Sequence, residues 1–299
     1  MTPLPSATDS RAAKERRWEQ AGDFLRTVAT VARRELLVEL RQPNKLALDL
    51  TGHLLGLAPV LLTAWAASGA GLPQSAAVSG TDWLTFILLG YIAFAAYGVA
   101  SPVISFTGMA FALHDEQIQG TLERSLLAPA PRLAVVLGSG AYYTALYLFH
   151  VVTLLLASAF FLGLQVVWTP GTVLLSSAVL VLIFVMSVGL GIISAAVLLT
   201  WKDTSLMMIL VHRPMLLLSG AYFLIPAIPE PFRTLARLNP IAYAIDAFRG
   251  SLTGATILTP LPIDLGVLLL SAIGTLVASL YLFDRLMARW LRTGSLGLY

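Results

Sequence analysis

The chain has 299 residues, of which 57% are hydrophobic and only 12% charged, with a formal net charge of +3 and a mean hydropathy of +0.81. Ordinary soluble domains carry about 25% charged residues, so this composition excludes a soluble enzyme or binding module and describes an integral membrane protein. The few basic residues are scattered, which argues against a nucleic-acid partner, and the absence of cysteine rules out disulfides, thiol nucleophiles and thiolate metal sites.

The apolar runs are about 20 residues or longer, as spanning helices require, and do not alternate as barrel strands do. Residues 1–17 read as a disordered leader, and no cleavable signal peptide is expected, since nine Lys or Arg and no apolar core precede position 47. In FLRTVATVARRELLVELRQPNK, residues 24–45, Phe24, Val28, Val31, Ala32, Leu36 and Leu40 fall near i, i+4, i+7 spacing. Arg26, Arg33 and Arg41 lie on another side, and Pro43 marks the end. This predicts either an amphipathic helix in the membrane interface or a solvated basic helix with its stripe against the protein. The interfacial reading is preferred because an apolar segment follows at once. Residues 1–45 are thus taken as cytoplasmic leader and interfacial helix, and 46–299 as the membrane domain.

Six spans are predicted near 46–67, 83–106, 133–163, 172–200, 206–225 and 263–283, the third and fourth longer than a bilayer needs. With the N-terminus inside, the inner segments hold fifteen Lys or Arg and the outer ones three, so both termini are expected in the cytoplasm of a multi-pass cell-membrane protein. The second span carries Tyr91, Phe94 and Tyr97 at i, i+3, i+6, a stripe that packing alone would explain.

Between the second and third spans, HDEQIQGTLERSLLAPAPR concentrates Asp115, Glu116, Glu123, Arg124 and Arg132, whereas Leu133 to Trp201 contains no Asp, Glu, Lys or Arg. Ile118, Leu122 and Leu126 recur at i, i+4, i+8, with Glu116, Gln119 and Glu123 elsewhere and Pro129 and Pro131 as the stop. A helix of about two or three turns is marginal alone in water. It is either a loop on the protein's own inner surface or a contact helix for a soluble partner. Gly120-Thr121 can mark a bend with a fresh N-cap.

In the fifth span Arg213 follows Lys202 by roughly 16 Å of helix rise, too deep for easy contact with the cytoplasm. Two readings stand: it lines a path and attracts an anionic headgroup, or it snorkels or pairs structurally. After that span, IAYAIDAFRGSL sets Ile241, Ile245, Phe248 and Leu252 on one face and Asp246 and Arg249, at i, i+3, on another. By itself this describes a cap with a solvated ion pair.

Two stretches carry a resemblance. DEQIQGTLERSLLAPAPR resembles the intracellular-loop signature of the ABC type-2 permease family, and LLSGAYFLIPAIPEPFRTLARLNPIAYAIDAFRG, residues 217–250, resembles the Ser-Gly, Leu-Asn-Pro and Asp-x-x-Arg pattern after the fifth span of those permeases. Together with the six spans and inward termini, the resemblance covers residues 24–290, closest to the group of drug-resistance and lipooligosaccharide exporters. The resemblance implies an all-α integral membrane protein with six transmembrane helices, the interfacial helix, a cytoplasmic coupling helix and re-entrant extracellular helices between spans five and six. It implies a non-enzymatic transport subunit that exports an amphiphilic drug, lipid or lipid-linked glycan. The implied partners are an ABC ATPase dimer, which holds ATP and Mg, a second permease copy (homodimer or similar subunit) and membrane lipid. This chain itself is expected to bind no cofactor or metal.

The coupling helix would comprise 115–128, with Glu116 and Glu123 as ionic contacts, Leu122 and Leu126 as apolar anchors, and Gly120 and Thr121 at its bend. Tyr91, Phe94, Tyr97 and Arg213 would line the translocation path, and Pro240, Asp246 and Arg249 would belong to an extracellular gate. The residues themselves agree with a separate motor, because no Gly-Lys pair exists to build a phosphate-cradling loop. No H-E-x-x-H or G-x-S-x-G signature of a hydrolase is present either. A gradient-driven secondary transporter or channel is the alternative; it would be expected to carry acidic residues inside its spans, and these have almost none, Asp49 sitting at one span's cytoplasmic start and Asp284 at another's end.

Overall fold

The computed structural model describes residues 7–44, 47–48, 51, 55, 58, 62, 83–96, 116, 124, 130–161, 164, 166–200, 214–215, 217–222, 224–254, 256 and 258–293. Among them every regular element is helical: α1 (Ala7–Leu40), α2 (Trp83–Ala96), α3 (Arg132–Ser139), α4 (Ala141–Phe161), α5 (Pro170–Thr200), a short 3-10 turn at Ile225–Ala227, α6 (Phe232–Leu238), α7 (Pro240–Thr253) and α8 (Leu261–Thr293).

Two of these helices are long and apolar enough to cross a membrane, over Pro170–Val197 and Leu261–Arg289. They pack against each other more extensively than any other pair. Their crossing is close: a Cβ on Gly189 would lie 3.0 Å from the Thr275 carbonyl carbon and 3.1 Å from the Leu276 nitrogen, so only glycine lets the backbones approach this far. α5 begins with a reciprocal cap in which Thr169 Oγ1 accepts from the Thr172 N–H at 3.2 Å and Thr172 Oγ1 accepts from the Thr169 N–H at 3.0 Å, with Pro170 at the first helical position.

α2 is the hub. Residues 85–94 are all buried, including Phe86, Leu88, Leu89, Ile92 and Phe94, because α4, α5 and α7 all pack on it. A helix apolar on every side is a core element. Outward-facing apolar side chains, among them Leu148, Val152 and Phe160 of α4 and Leu270, Ile273 and Val277 of α8, are exposed. Such surface is costly in water and satisfied in hydrocarbon.

Two expectations need correction. The chain is helical from Ala7, so residues 7–17 are not a disordered leader; Ala, Arg, Lys and Glu dominate there, and all are strong helix formers. The third predicted span is two helices, broken at Gly140. The run Gly138-Ser139-Gly140 supplies the cause: Ser139 Oγ donates back to the Val136 carbonyl at 2.9 Å, and glycines resist helix continuation. The break lets α3 pack on α1 while α4 packs on α2.

Candidate functional site

α7 is set by three local signals. Asn239 is its N-cap, its side chain accepting from the Ile241 N–H at 3.1 Å; Pro240 occupies the first turn, and Gly254 ends the helix in the left-handed conformation with φ 74°. Asn239 also donates from Nδ2 to the Met215 carbonyl at 3.0 Å, which ties the start of α7 to the segment before the Ser219-Gly220 turn. Pro240 therefore serves as the first helical residue of α7.

Arg249 lies in the centre of the packing against α2. Its Nε donates to the Phe86 carbonyl at 3.1 Å, Nη1 to the Gly220 carbonyl at 3.0 Å and Nη2 to the Ala221 carbonyl at 2.9 Å. The guanidinium carbon sits 3.6 Å from the centroid of the Phe86 ring, a desolvated cation–π contact. Gly90, one turn along α2 from Phe86, leaves the room this requires, since a Cβ there would overlap Arg249 Nη2 and the Ala221 carbonyl. The acceptors are in place because Gly220 takes φ 72°, turning the chain after Ser219 so that successive carbonyls face one guanidinium.

Asp246 is 2% and Arg249 5% exposed. The reading of these two as a solvated ion pair on a cap is thereby corrected: the opposite face of α7, with Ile241, Ile245, Phe248 and Leu252, is equally buried. Asp246 Oδ2 accepts from the Leu258 N–H at 2.7 Å. The next residue, Thr259, donates from its hydroxyl to Asp264 Oδ1 in the first turn of α8. A small cleft between these groups is lined by Phe86, Ser219, Gly220, Asp246, Arg249 and Leu258.

A second contact lies at α1. Phe24, Val28, Val31, Ala32 and Leu36 are partly buried, whereas Arg26, Arg33 and Arg41 are exposed, as the periodicity predicts. Leu40, placed on that stripe, is 58% exposed. The stripe packs on α3, and Gly138 makes room for it: a Cβ there would meet Val31 Cβ at 2.6 Å. One turn away, Arg34 donates to the carboxylates of both Glu35 and Glu116, and Glu116 is buried. Partial burial pulls the Arg34 pKa down, but hydrogen bonds to Glu35 and Glu116 outweigh it and leave the group above the ordinary arginine value.

The predicted site residues thus divide. Tyr91 and Phe94 are buried in the core, the Tyr91 ring 6.4 Å from that of Tyr222. Pro240, Asp246 and Arg249 lie on one helix, and Glu116 meets α1 of its own chain. Tyr97, Gly120, Thr121, Leu122, Glu123, Leu126 and Arg213 lie outside the described residues. Sequence reasoning missed Arg34, Phe86, Gly90, Asn239 and Asp264. Asn239-Pro240 is a legible helix start, and a lone glycine in an apolar helix is a sign of close approach.

The family model described as ABC-2 type transporter matches residues 27–253, from α1 to the end of α7. The inner membrane transport permease YadH of Escherichia coli strain K12 is 28% identical over 194 residues, which cover 63% of this chain and 70% of that protein. The protein of the same name from Shigella flexneri matches to the same extent.

Proposed function

Because this chain belongs to the ABC-2 type transporter family and is thus the transmembrane subunit of an ABC transporter, we propose that it is the membrane half of an export pump. It moves an amphiphilic drug, lipid or lipid-linked glycan out of the cell, driven by a separate ATPase that holds ATP and Mg. In this reading the chain crosses the cell membrane six times with both termini in the cytoplasm, and two copies, or one copy and a similar subunit, enclose the path. The cytoplasmic loop around Glu116 to Leu126 couples to the motor, Tyr97 and Arg213 face the route while Tyr91 and Phe94 pack in the core behind it, and α6 and α7 form a re-entrant outer gate with Pro240, Asp246 and Arg249.

The observation that carries the reading is the seating of Arg249 on α2. Non-spanning helices at membrane depth are tolerated only where their polar groups are satisfied by protein or water. Arg249 supplies that satisfaction and makes α7, the Gly220 turn and α2 one mechanical unit. A displacement of α2 from the inner side therefore reaches α7 as a rigid-body movement. At the other side, the Arg34–Glu116 contact links the interfacial helix to the loop that would receive the motor's stroke.

The test is reconstitution of the full chain in inside-out vesicles, with and without the ATPase that co-purifies with it, followed by ATP-dependent accumulation of candidate amphiphiles. Accumulation only when both proteins and ATP are present supports the reading. Concentrative transport by this chain alone, driven by an ion gradient, overturns it.

A further inference from the structure

We infer that the outward face of α8 binds an anionic phospholipid, with an acyl chain along Ile273 and Val277 and the phosphate against Arg285 and Arg289. The lipid is a standing partner of the helix and not the cargo. The inference rests on α8 crossing the membrane and holds whether or not the chain exports anything.

α8 is divided lengthwise. Asp264, Leu268, Ala272, Ser279, Phe283 and Met287 recur at helical spacing and are buried, on the side that packs on α5 and α7. The other side is open from end to end: Ile263, Leu270, Ile273, Val277 and Tyr281 are exposed, and so are Arg285 and Arg289. Every exposed residue from Ile263 to Leu280 is apolar. That stretch, up to Tyr281, rises about 27 Å along the helix, close to the roughly 30 Å of a hydrocarbon core. Tyr281 closes it, as a ring with a polar tip does at the hydrocarbon edge. The arginines begin one turn later.

The geometry at this border suits an anion. The Arg285 guanidinium carbon lies 4.9 Å from the centre of the Tyr281 ring, so the side chain is folded back one turn toward the apolar stripe. This sets a cation at the level where a lipid phosphate joins its acyl chains. Arg289 follows at i, i+4 on the same side, and two like charges so placed repel each other. A phosphate between them replaces that repulsion with charge-assisted contacts. Residues 281–293 hold Arg285, Arg289 and Arg292 against one acid, Asp284, which is turned about 100° round the helix from Arg285. α2, α4 and α5 contain no Asp, Glu, Lys or Arg. Among the described apolar helices, α8 is therefore the one that joins a lipid-facing stripe to cations. A zwitterionic headgroup brings its own ammonium close to the phosphate and competes with the arginines; an anionic one does not.

The full chain is placed in nanodiscs of phosphatidylcholine with increasing phosphatidylglycerol, and the lipids it retains are read by native mass spectrometry. Phosphatidylglycerol is expected to be retained in preference. Arg285→Gln should lower that preference about fivefold, the effect of one basic residue near an anionic surface, and Arg289→Gln likewise, whereas Arg285→Lys keeps most of it. Both positions are exposed, so melting in phosphatidylcholine alone should not change. Equal retention of the two lipids by the wild type, or glutamine variants with the wild-type preference, overturns the proposal. If a glutamine variant fails to fold, salt decides on the wild type: a preference that falls as salt rises is expected, and one indifferent to salt overturns it. Glycerol phosphate, the headgroup without its chains, should not displace the retained lipid; displacement makes this a site for anions alone and overturns the lipid assignment. The chain has no cysteine, so Ile273→Cys reports on the stripe itself. Oxidation is expected to leave it monomeric, and a cross-linked dimer would put a second copy where the lipid is proposed.

Discussion

The Arg249 guanidinium carbon lies 3.6 Å from the centre of the Phe86 ring, and Nε of the same side chain donates to the Phe86 carbonyl at 3.1 Å. One residue thus engages another through both its aromatic face and its backbone. This double grip fixes the register of α7 along α2 as well as the distance between them.

Removing the guanidinium strands the carbonyls of Phe86, Gly220 and Ala221 and leaves a void in the core. Arg249→Ala is expected to cost about 3–5 kcal/mol, the range for breaking a buried charged network. Arg249→Lys keeps the charge but lacks the planar fork that reaches three acceptors, so it recovers less than half of that loss. Unfolding of the nanodisc-embedded chain by denaturant measures both; a lysine variant as stable as wild type would mean that charge alone, and not the fork, is what matters.

Gly90 is where space for the fork is made. Gly90→Ala sets a methyl group against Arg249 Nη2 and the Ala221 carbonyl, and neither can yield without breaking a hydrogen bond. A loss of about 1–3 kcal/mol is expected from this overpacking. Gly274, on α8, has nothing within 4 Å of where its Cβ would stand. Gly274→Ala should raise stability by up to about 1 kcal/mol through helix propensity. Paired melting curves distinguish the two sites, and equal shifts would refute the packing argument.

Asn239 performs two tasks with two atoms, accepting from Ile241 and donating to Met215. Asn239→Ala loses both and should cost about 1–2 kcal/mol. Asn239→Asp keeps the cap, yet sets a carboxylate oxygen against the Met215 carbonyl. It is therefore expected to be no more stable than the alanine variant, although aspartate caps an isolated helix as well as asparagine does. A wild-type-like aspartate variant would show that the bond to Met215 contributes nothing.

The positions of α5, α7 and α8 are legible in the sequence because each has a long apolar run or a capped boundary: Thr169-Pro170 opens α5, and Asn239-Pro240 and Gly254 bound α7. The destination of Arg249 is not legible. Its acceptors are backbone carbonyls of Phe86, Gly220 and Ala221, and a carbonyl leaves no mark on residue identity. The i, i+3 spacing to Asp246 points instead to a local pair. Asp264 escapes notice because it begins an apolar segment, where a carboxylate reads as a helix-start residue. Only the fold shows that it is completely buried. In the third predicted span, the continuous apolar run outweighs the Gly-Ser-Gly signal that in fact ends α3.

Arg34 and Glu116 join segments far apart in the chain, but Arg34 also holds Glu35, so the two acids share one cation. The consequence is an asymmetry. Arg34→Ala releases both carboxylates, including the buried one of Glu116, whereas Glu116→Gln leaves the Arg34–Glu35 bond intact and retains a hydrogen-bonding side chain. The arginine variant should therefore lose more stability, by about 1 kcal/mol relative to the glutamine variant, the scale of a charge-assisted bond that is partly exposed. Exchanging the charges, Arg34→Glu with Glu116→Arg, tests whether the contact itself matters, because the introduced carboxylate would stand beside Glu35 and only the long-range half of the bonding would return. The double-mutant cycle should give a coupling energy of about 0.5–1 kcal/mol. If the same substitutions also lower ATP-driven transport more than they lower the amount of folded protein, the interfacial helix and the loop move together during the cycle. Zero coupling in both readouts would leave α1 held to the rest of the chain by packing alone, on α3 through Val31 and Gly138 and on α4.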